Sequence, residues 1–321
     1  MTTITGRDIN RARPTRRRET TLDITVLSGG PGTERQVSLD SGRAVHDALR
    51  RRGHRAELRD IGPADLSALD MPADFVFIAL HGEFGEDGAV QAEIEKRRLP
   101  YAGSGPAASR LAMNKVDTKR RFEQAGIPTP AWAVATRDTI DSALAKATPP
   151  VVIKPVASGS SVDISIARTM DQARTATAEV VERYGTALIE RYVEGPELTV
   201  SILGDVALPV CEIRPAREFY DYRAKYIDDD TQYLFEPAVS TDTSVEVQRL
   251  SLVAHGALGC AAFSRVDWMV DQETGCALAI EINTIPGFTS HSLLPKAAAR
   301  AGIGFDELCE RIVELSMDVR R

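Results

Sequence analysis

Residues 263–284 read FSRVDWMVDQETGCALAIEINT. Apolar and polar side chains alternate over FSRVDWMV and again over CALAIEINT, and the polar segment DQETG joins the two runs. Alternation with a period of two marks a half-buried strand, and two such runs with a short Gly-containing joint predict an antiparallel hairpin. On that hairpin Glu281 and Asn283 share a face of one strand, and Arg265 and Asp267 share a face of the other. Two carboxylates and an amide converging from adjacent strands suit a hard cation such as Mg²⁺. A guanidinium beside them can stabilise developing negative charge. A solvated sheet face accounts for the same pattern equally well. The chain then runs on as EINTIPGFTSHS (281–292), a Pro-Gly turn followed by hydroxyl and imidazole side chains that a core strand does not need.

Upstream, LDITVLSGG begins with a β-type run over 22–27 and is followed by glycines and a helical pattern over about 38–52, closed by Gly53. Further strands are expected over 54–58 and 74–80, the second ending at HGEFGEDG (81–88), with a helix after it carrying Val90 and Ile94 on one face. Strand, glycine turn, helix and strand in that order predict a parallel α/β layer. From Asn114 the texture changes to a charged helix and then to short strands and helices, the pattern of a small α+β unit. The expected limits are 21–113, 114–200 and 201–321. Residues 1–20 carry Arg11, Arg13, Arg16, Arg17 and Arg18 and read as a disordered basic arm, with a nucleic-acid or partner tail as the alternative.

Size and charge narrow the function classes. The chain has 321 residues with a formal charge of -7, 43% hydrophobic and 26% charged, which fits a globular protein with a substantial core. The acidic balance argues against general nucleic-acid binding. There is no apolar run of about 18 residues, so no membrane insertion is expected. The four cysteines, Cys211, Cys260, Cys276 and Cys309, match no zinc or redox spacing.

Three further places can carry chemistry. Lys154 leaves the apolar run VVIKP beside the Gly/Ser loop ASGSSV, where backbone N–H groups and an ammonium can grip phosphate oxygens; a solvated strand-end lysine is the alternative. Glu190 and Glu197 flank residues 191–196 and can accept from a nucleotide's adenine or ribose, or simply face solvent. His81 follows a strand at its carboxyl end, where α/β sheets present ligand-binding groups, or is a polar turn residue. GGPGTE (29–34) offers backbone donors near a helix start, with Glu34 beside them.

Taken in order, HGEFGEDG, YAGSG, NKVDTK, KPVASGSSV, ERYVEGPELTV, FYDYRAKY and EINTIPGFTSHS resemble the motifs of the D-alanine–D-alanine ligases of the ATP-grasp superfamily, over roughly residues 22–318. The resemblance implies a three-domain ATP-grasp fold of α/β and α+β class with an N-terminal parallel α/β domain. It implies ATP-dependent joining of two D-alanines through an acyl phosphate, for peptidoglycan precursor synthesis in the cytoplasm, by a homodimer. Lys115 and Lys154 would bind the ATP phosphates, and Ser160 and Ser161 would lie in a loop over them. Glu190, Arg191, Tyr192, Val193 and Glu197 would hold the adenosine. Asp267, Glu281 and Asn283 would carry two Mg²⁺ ions, with Mn²⁺ as a substitute. Glu34 would pair with the first D-alanine's ammonium and His81 would lie near its carboxylate. Arg265 and the Gly287 N–H would stabilise the tetrahedral oxyanion. Ser292 and Leu293 would receive the second carboxylate at a helix N-terminus. Lys225 and Tyr226 would belong to a mobile loop, Tyr226 joining Glu34 and Ser160. An acceptor other than D-alanine, or a regulator that binds nucleotide without turnover, is the alternative. Four residues depart from the usual pattern. They are Gln36 for a glutamate, Asp163 for a glycine, Arg191 for a lysine and Ser264 for a glycine.

Overall fold

A computed structural model describes residues 20–159, 163–215 and 230–319. The expectations for the arm at 1–19, for Ser160 and Ser161, and for Lys225 and Tyr226 therefore lie outside the described residues.

The first layer is parallel, as expected. β1 (Asp23–Gly29) lies between β2 (Arg55–Ile61) and β3 (Phe75–Ile78), and Val76 bridges in parallel to Tyr101. β1 and β3 are almost wholly buried, which fits the covered strands of a parallel sheet. α1 (Arg35–Arg51) packs close because Gly42 has no side chain: a Cβ there would meet that of Ser28 at 2.5 Å. Ser38 ties the carboxyl ends of the strands together, accepting from Gly29 N at 2.9 Å and donating to Ala79 O at 2.8 Å. α2 (Ala89–Lys96) buries Val90 and Ile94, the face read from the sequence.

α3 (Pro106–Met113) and α4 (Lys115–Gln124) follow. Asn114 caps α4, its Oδ1 accepting from Val116 N and Asp117 N at 3.1 Å each. This fixes Lys115 at the first helical position.

The middle sheet is antiparallel in the order β4 (Trp132–Thr136), β7 (Thr186–Arg191), β5 (Val151–Pro155), β6 (Ser165–Ala167). α5 (Ile140–Leu144) and α6 (Met170–Tyr184) cover it, burying Ala143, Leu144, Ala173 and Val181. A reciprocal Thr169–Gln172 capping box starts α6, and Gly185 at φ 76° ends it.

The last sheet runs β11 (Gln232–Leu234), β10 (Cys211–Arg214), β8 (Glu197–Leu203), β12 (Phe263–Val270), β13 (Ala277–Asn283), with β9 (Val206–Ala207) on β8. β12 and β13 form the expected hairpin, with Asp267 opposite Glu281 and Arg265 opposite Asn283. The register slips next to Asp267, so that Trp268 pairs with Ala279. This bulge was not expected. α7 (Thr241–Ala257), capped by Ser240, covers one face. α8 (Leu293–Arg300) and α9 (Phe305–Val319) end the chain.

Two features cut across the consecutive units. A limit after residue 200 would divide β8, whose partners are β10 and β12. α8 and α9 share one apolar core with the first sheet: Leu294, Ala297 and Ile312 lie with Val26, Val45 and Phe77. Phe288 joins them, edge-on to Phe77 at 5.3 Å and to Phe263 at 5.8 Å.

Candidate active site

The middle and last sheets enclose a cleft of about 640 Å³. Lys154 from β5, Glu190 and Arg191 from β7, Tyr192, Val193 and Glu197 line it from the connecting side. Asp267 and Glu281 line it from β12 and β13, and Lys115 from α4. All the described residues expected to hold a nucleotide are therefore brought together. The 192–196 connection is held close, Val270 N donating to Pro196 O and Gln272 N to Glu194 O, each at 2.9 Å.

Glu190 does not face the cleft as an isolated acceptor. It is buried, and one carboxylate oxygen is ion-paired with Lys119 and the other with Lys154. Burial pushes this carboxyl up, but the ammoniums of Lys154 and Lys119 outweigh it and hold the group below the usual carboxylate range. Lys115 is fixed from the loop instead, its Nζ donating to Ser158 O at 2.6 Å and its backbone N to Val156 O at 2.9 Å.

A second cavity opens at the carboxyl ends of the parallel strands, lined by Glu34, His81, Glu86, Arg265, Asn283, Gly287, Ser292 and Leu293. Glu34 is buried. A Cβ on Gly82, which sits at φ +68°, would come within 2.4 Å of Glu34 Oε2, so only glycine leaves that carboxylate its place. His81 stands between Ser41 Oγ, 3.0 Å from its Nε2, and Glu86 Oε1, 3.5 Å from its Nδ1. Burial pushes the Glu86 carboxyl up against the opposing pull of His81. Ser41 also accepts from Phe288 N at 3.3 Å, which joins α1 to the Pro-Gly turn.

The Asp267 carboxylate of the hairpin is held in place. Asp267 accepts a two-point contact from Arg265, Nε to Oδ1 at 2.9 Å and Nη2 to Oδ2 at 2.8 Å, and a bond from Thr199 Oγ1 at 2.6 Å. Asn283 Oδ1 accepts from Ile285 N at 2.8 Å, which leaves a second lone pair on that oxygen. Two carboxylates and an amide oxygen form a hard donor set that fits Mg²⁺ shared with phosphate. Among the described residues no group of three His, Cys, Asp or Glu side chains forms a self-sufficient cation cage. Ser292 Oγ accepts from Thr289 N at 3.0 Å at the start of α8, where the first helical N–H groups are available to an anion.

Lys115, Ser158 and Glu281 line both spaces. A nucleotide-sized cleft and a smaller cavity therefore share a wall carrying an ammonium and a carboxylate. Glu86, Lys119, Thr199 and Ser41 were not foreseen. Glu86 stands five residues after His81 in one motif, and Lys119 one turn after Lys115. For Thr199 and Ser41 only the folded contacts reveal the part they play.

Profiles described as D-ala D-ala ligase N-terminus and D-ala D-ala ligase C-terminus match residues 61–104 and 122–314. A D-alanine–D-alanine ligase of Actinobacillus succinogenes is 41% identical over 302 residues, covering 92% of this chain and 97% of that one. A D-alanine–D-alanine ligase B of Xanthomonas campestris pv. campestris is 45% identical over 303 residues, covering 92% and 94%. This chain belongs to the D-alanine–D-alanine ligase family. Among solved structures, the Bacillus anthracis D-alanine–D-alanine ligase complexed with ATP superposes with a TM-score of 0.81 at 35% identity, covering 94% of this chain and 98% of that one. The VanG D-Ala:D-Ser ligase of Enterococcus faecalis gives 0.82 at 26% identity, covering 92% and 100%.

Within the D-alanine–D-alanine ligase frame the four departures have local explanations. Asp163 sits at φ 55°, the left-handed region that favours glycine and that Asp tolerates. Its carboxylate is bonded by Tyr184 and Arg183 on α6, which hold its pKa low, so its charge is compensated outside the two cavities. Ser264 is bonded to His255 Nδ1 at 2.7 Å. Arg191 reaches Asp271 across the cleft rim at 2.8 Å, linking the middle sheet to the β12–β13 turn. Gln36 donates to Asp40 at 3.1 Å on the exposed face of α1.

Proposed function

We propose that this chain joins two D-alanines to D-alanyl-D-alanine with ATP, releasing ADP and phosphate, for peptidoglycan precursor synthesis. The shared wall between the nucleotide cleft and the substrate cavity carries this reading. A carboxylate must be activated before an amine can attack it, and activation by phosphoryl transfer needs the nucleotide and the acid on either side of one point. Lys115 and Glu281 line that point from both sides.

We assign Lys115 and Lys154 to the phosphates, and the edge formed by Tyr192, Val193 and Glu197 to the adenosine. Glu190 is assigned to holding Lys154 rather than to adenine. Asp267, Glu281 and Asn283 would hold Mg²⁺, with Mn²⁺ as a substitute, which supplies positive charge to offset the phosphates. In the substrate cavity we assign Glu34 to the donor D-alanine's ammonium. His81 and Glu86 orient the donor, and Arg265 with the Gly287 N–H faces the oxygen that gains charge when the amine attacks the acyl phosphate. The start of α8 at Ser292 and Leu293 takes the acceptor's carboxylate. The parts assigned by resemblance to Ser160, Ser161, Lys225 and Tyr226 stay proposals of the same kind. We infer a cytoplasmic homodimer; no described helix is long and apolar enough to cross a membrane.

The test is ADP release with Mg²⁺ and ATP in the presence of D-alanine, with L-alanine, D-lactate and D-serine in parallel and products identified by mass. Dipeptide formed from D-alanine is the expected result. Mixed product with D-serine or D-lactate, and none with D-alanine alone, would overturn the acceptor assignment. ATP binding without turnover of any acid would overturn the enzyme reading. Molar mass by light scattering tests the dimer.

A further inference from the structure

Lys119 is fully buried on α4 and lines neither cavity. An ammonium is costly to place there unless it is paired and hydrogen-bonded, so its partners indicate why it is there. One partner is Glu190, whose other oxygen holds Lys154 at the cleft wall. Another is Thr129: Lys119 Nζ donates to Thr129 Oγ1 at 2.7 Å, and Thr129 Oγ1 donates to Ala279 O at 2.8 Å. The same residue of β13 is held through its amide as well, Ala279 N donating to Pro128 O at 2.8 Å.

Ala279 is no arbitrary point on β13. It pairs with Trp268 on one side of the register slip, and Glu281 pairs with Asp267 on the other. A bulge re-aims the side chains beside it, so a clamp on Ala279 sets how Glu281 is presented. A continuous polar chain thus runs Lys154–Glu190–Lys119–Thr129–Ala279, from the cleft wall on the middle sheet to the bulge that carries Glu281. Two ammoniums thus share the one Glu190 carboxylate. Burial pushes the Lys119 ammonium below its ordinary value, with Glu190 opposing.

We propose that Lys119 is a positioning residue that registers the phosphate-binding lysine Lys154, through Glu190, with the cation-binding strand at Glu281, through Thr129. The proposal rests on the assignment of the cleft to ATP and Mg²⁺.

Two substitutions separate the arms of this relay. Thr129→Val is close to isosteric, removes the hydroxyl and keeps the Lys–Glu–Lys cluster. Lys119→Met keeps length and removes the charge. Each variant and the wild type would be compared by calorimetric ATP binding with and without Mg²⁺, by KM for ATP against kcat, by the Mg²⁺ concentration for half-maximal rate, and by melting temperature. For Thr129→Val, metal-free ATP binding should stay within about twofold while the half-maximal Mg²⁺ concentration rises by about tenfold. For Lys119→Met, ATP affinity should fall about tenfold with and without Mg²⁺. A merely structural role would lower the melting temperature and the active fraction, and would leave KM and the Mg²⁺ half-point unchanged. An unchanged Mg²⁺ half-point in Thr129→Val overturns the proposal, as does unchanged ATP affinity in soluble Lys119→Met. If Lys119→Met does not fold, Thr129→Val decides. If the wild type binds ATP but does not turn over D-alanine, the ligase reading fails, and Mg²⁺-dependent ATP binding by Thr129→Val still decides the relay.

Discussion

Glu281 is half-buried on the wall common to both cavities, opposite an Asp267 that Arg265 and Thr199 already hold. Replacing it by Gln keeps the shape and removes one charge from the donor set. Activity should fall by about 100-fold or more, while the melting temperature moves by only a few degrees; steady-state rates and a thermal melt on the same preparation check this. His255 gives the residue-scale pH prediction. Burial pushes its imidazole down to about 4 from an ordinary 6.5, so between those values the unfolded chain binds the extra proton. Its contribution is complete above pH 6.5 and is lost as the pH falls toward 4. The size is about 1–2 kcal/mol after allowing for the ring's partial exposure. His255→Gln should flatten the stability–pH curve in that window, measured by urea unfolding from pH 4 to 7. Residue positions were legible where a motif fixes them: Glu34 and His81 line one cavity and Asp267 the other. Roles were not legible where a partner decides them. Glu190 reads as an acceptor for adenosine until Lys119, 71 positions earlier in the numbering, is seen to neutralise it. Asp163 reads as a charge beside a phosphate loop until Arg183 and Tyr184 take it.

The β12–β13 hairpin shows what alternation can and cannot convey at the scale of an element. Period-two patterning gave both strands, their joint and the shared faces of Arg265 and Asp267 and of Glu281 and Asn283. It could not give the bulge, because one extra residue in a strand leaves the local composition unchanged and shows only against a partner. The same limit applies to α1, expected from 38 and found from Arg35. Its first turn is held by the glycine turn and Ser38 rather than by a recognisable capping residue. The 192–196 connection yields a sharper prediction. Gly195 has φ +146°, and a Cβ there would lie 1.9 Å from Val270 O. Backbone cannot yield as a flexible side chain can. Gly195→Ala should therefore force the connection away from β12, destabilising the protein by about 2–4 kcal/mol and raising KM for ATP. A chemical melt and a nucleotide titration would test both effects.

For the molecule as a whole, the order of units along the chain differs from the way they are packed. The sequence predicted a parallel layer followed by two further units, and each sheet is present. What it could not predict is that the final helices complete the first layer. An amphipathic helix announces that one face needs covering without naming what will cover it. Here Leu294, Ala298 and Ile312 are buried with Val26, Leu49 and Phe77, and Arg51 binds Asp306 through Nη2 to Oδ1 at 2.7 Å. The cavity lined by Glu34 and His81 lies at this junction, since Ser41 of α1 supports both His81 and the Phe288 N–H. Stability of the first sheet and geometry of this cavity are thus one property. Ile312→Ala, at a fully buried position on α9, should cost about 2–5 kcal/mol. The loss should appear as faster hydrogen exchange in β1 and β3 as well as in α9, because all three open together. If exchange rises in α9 alone, the two ends of the chain are separable and the shared core does not act as a unit.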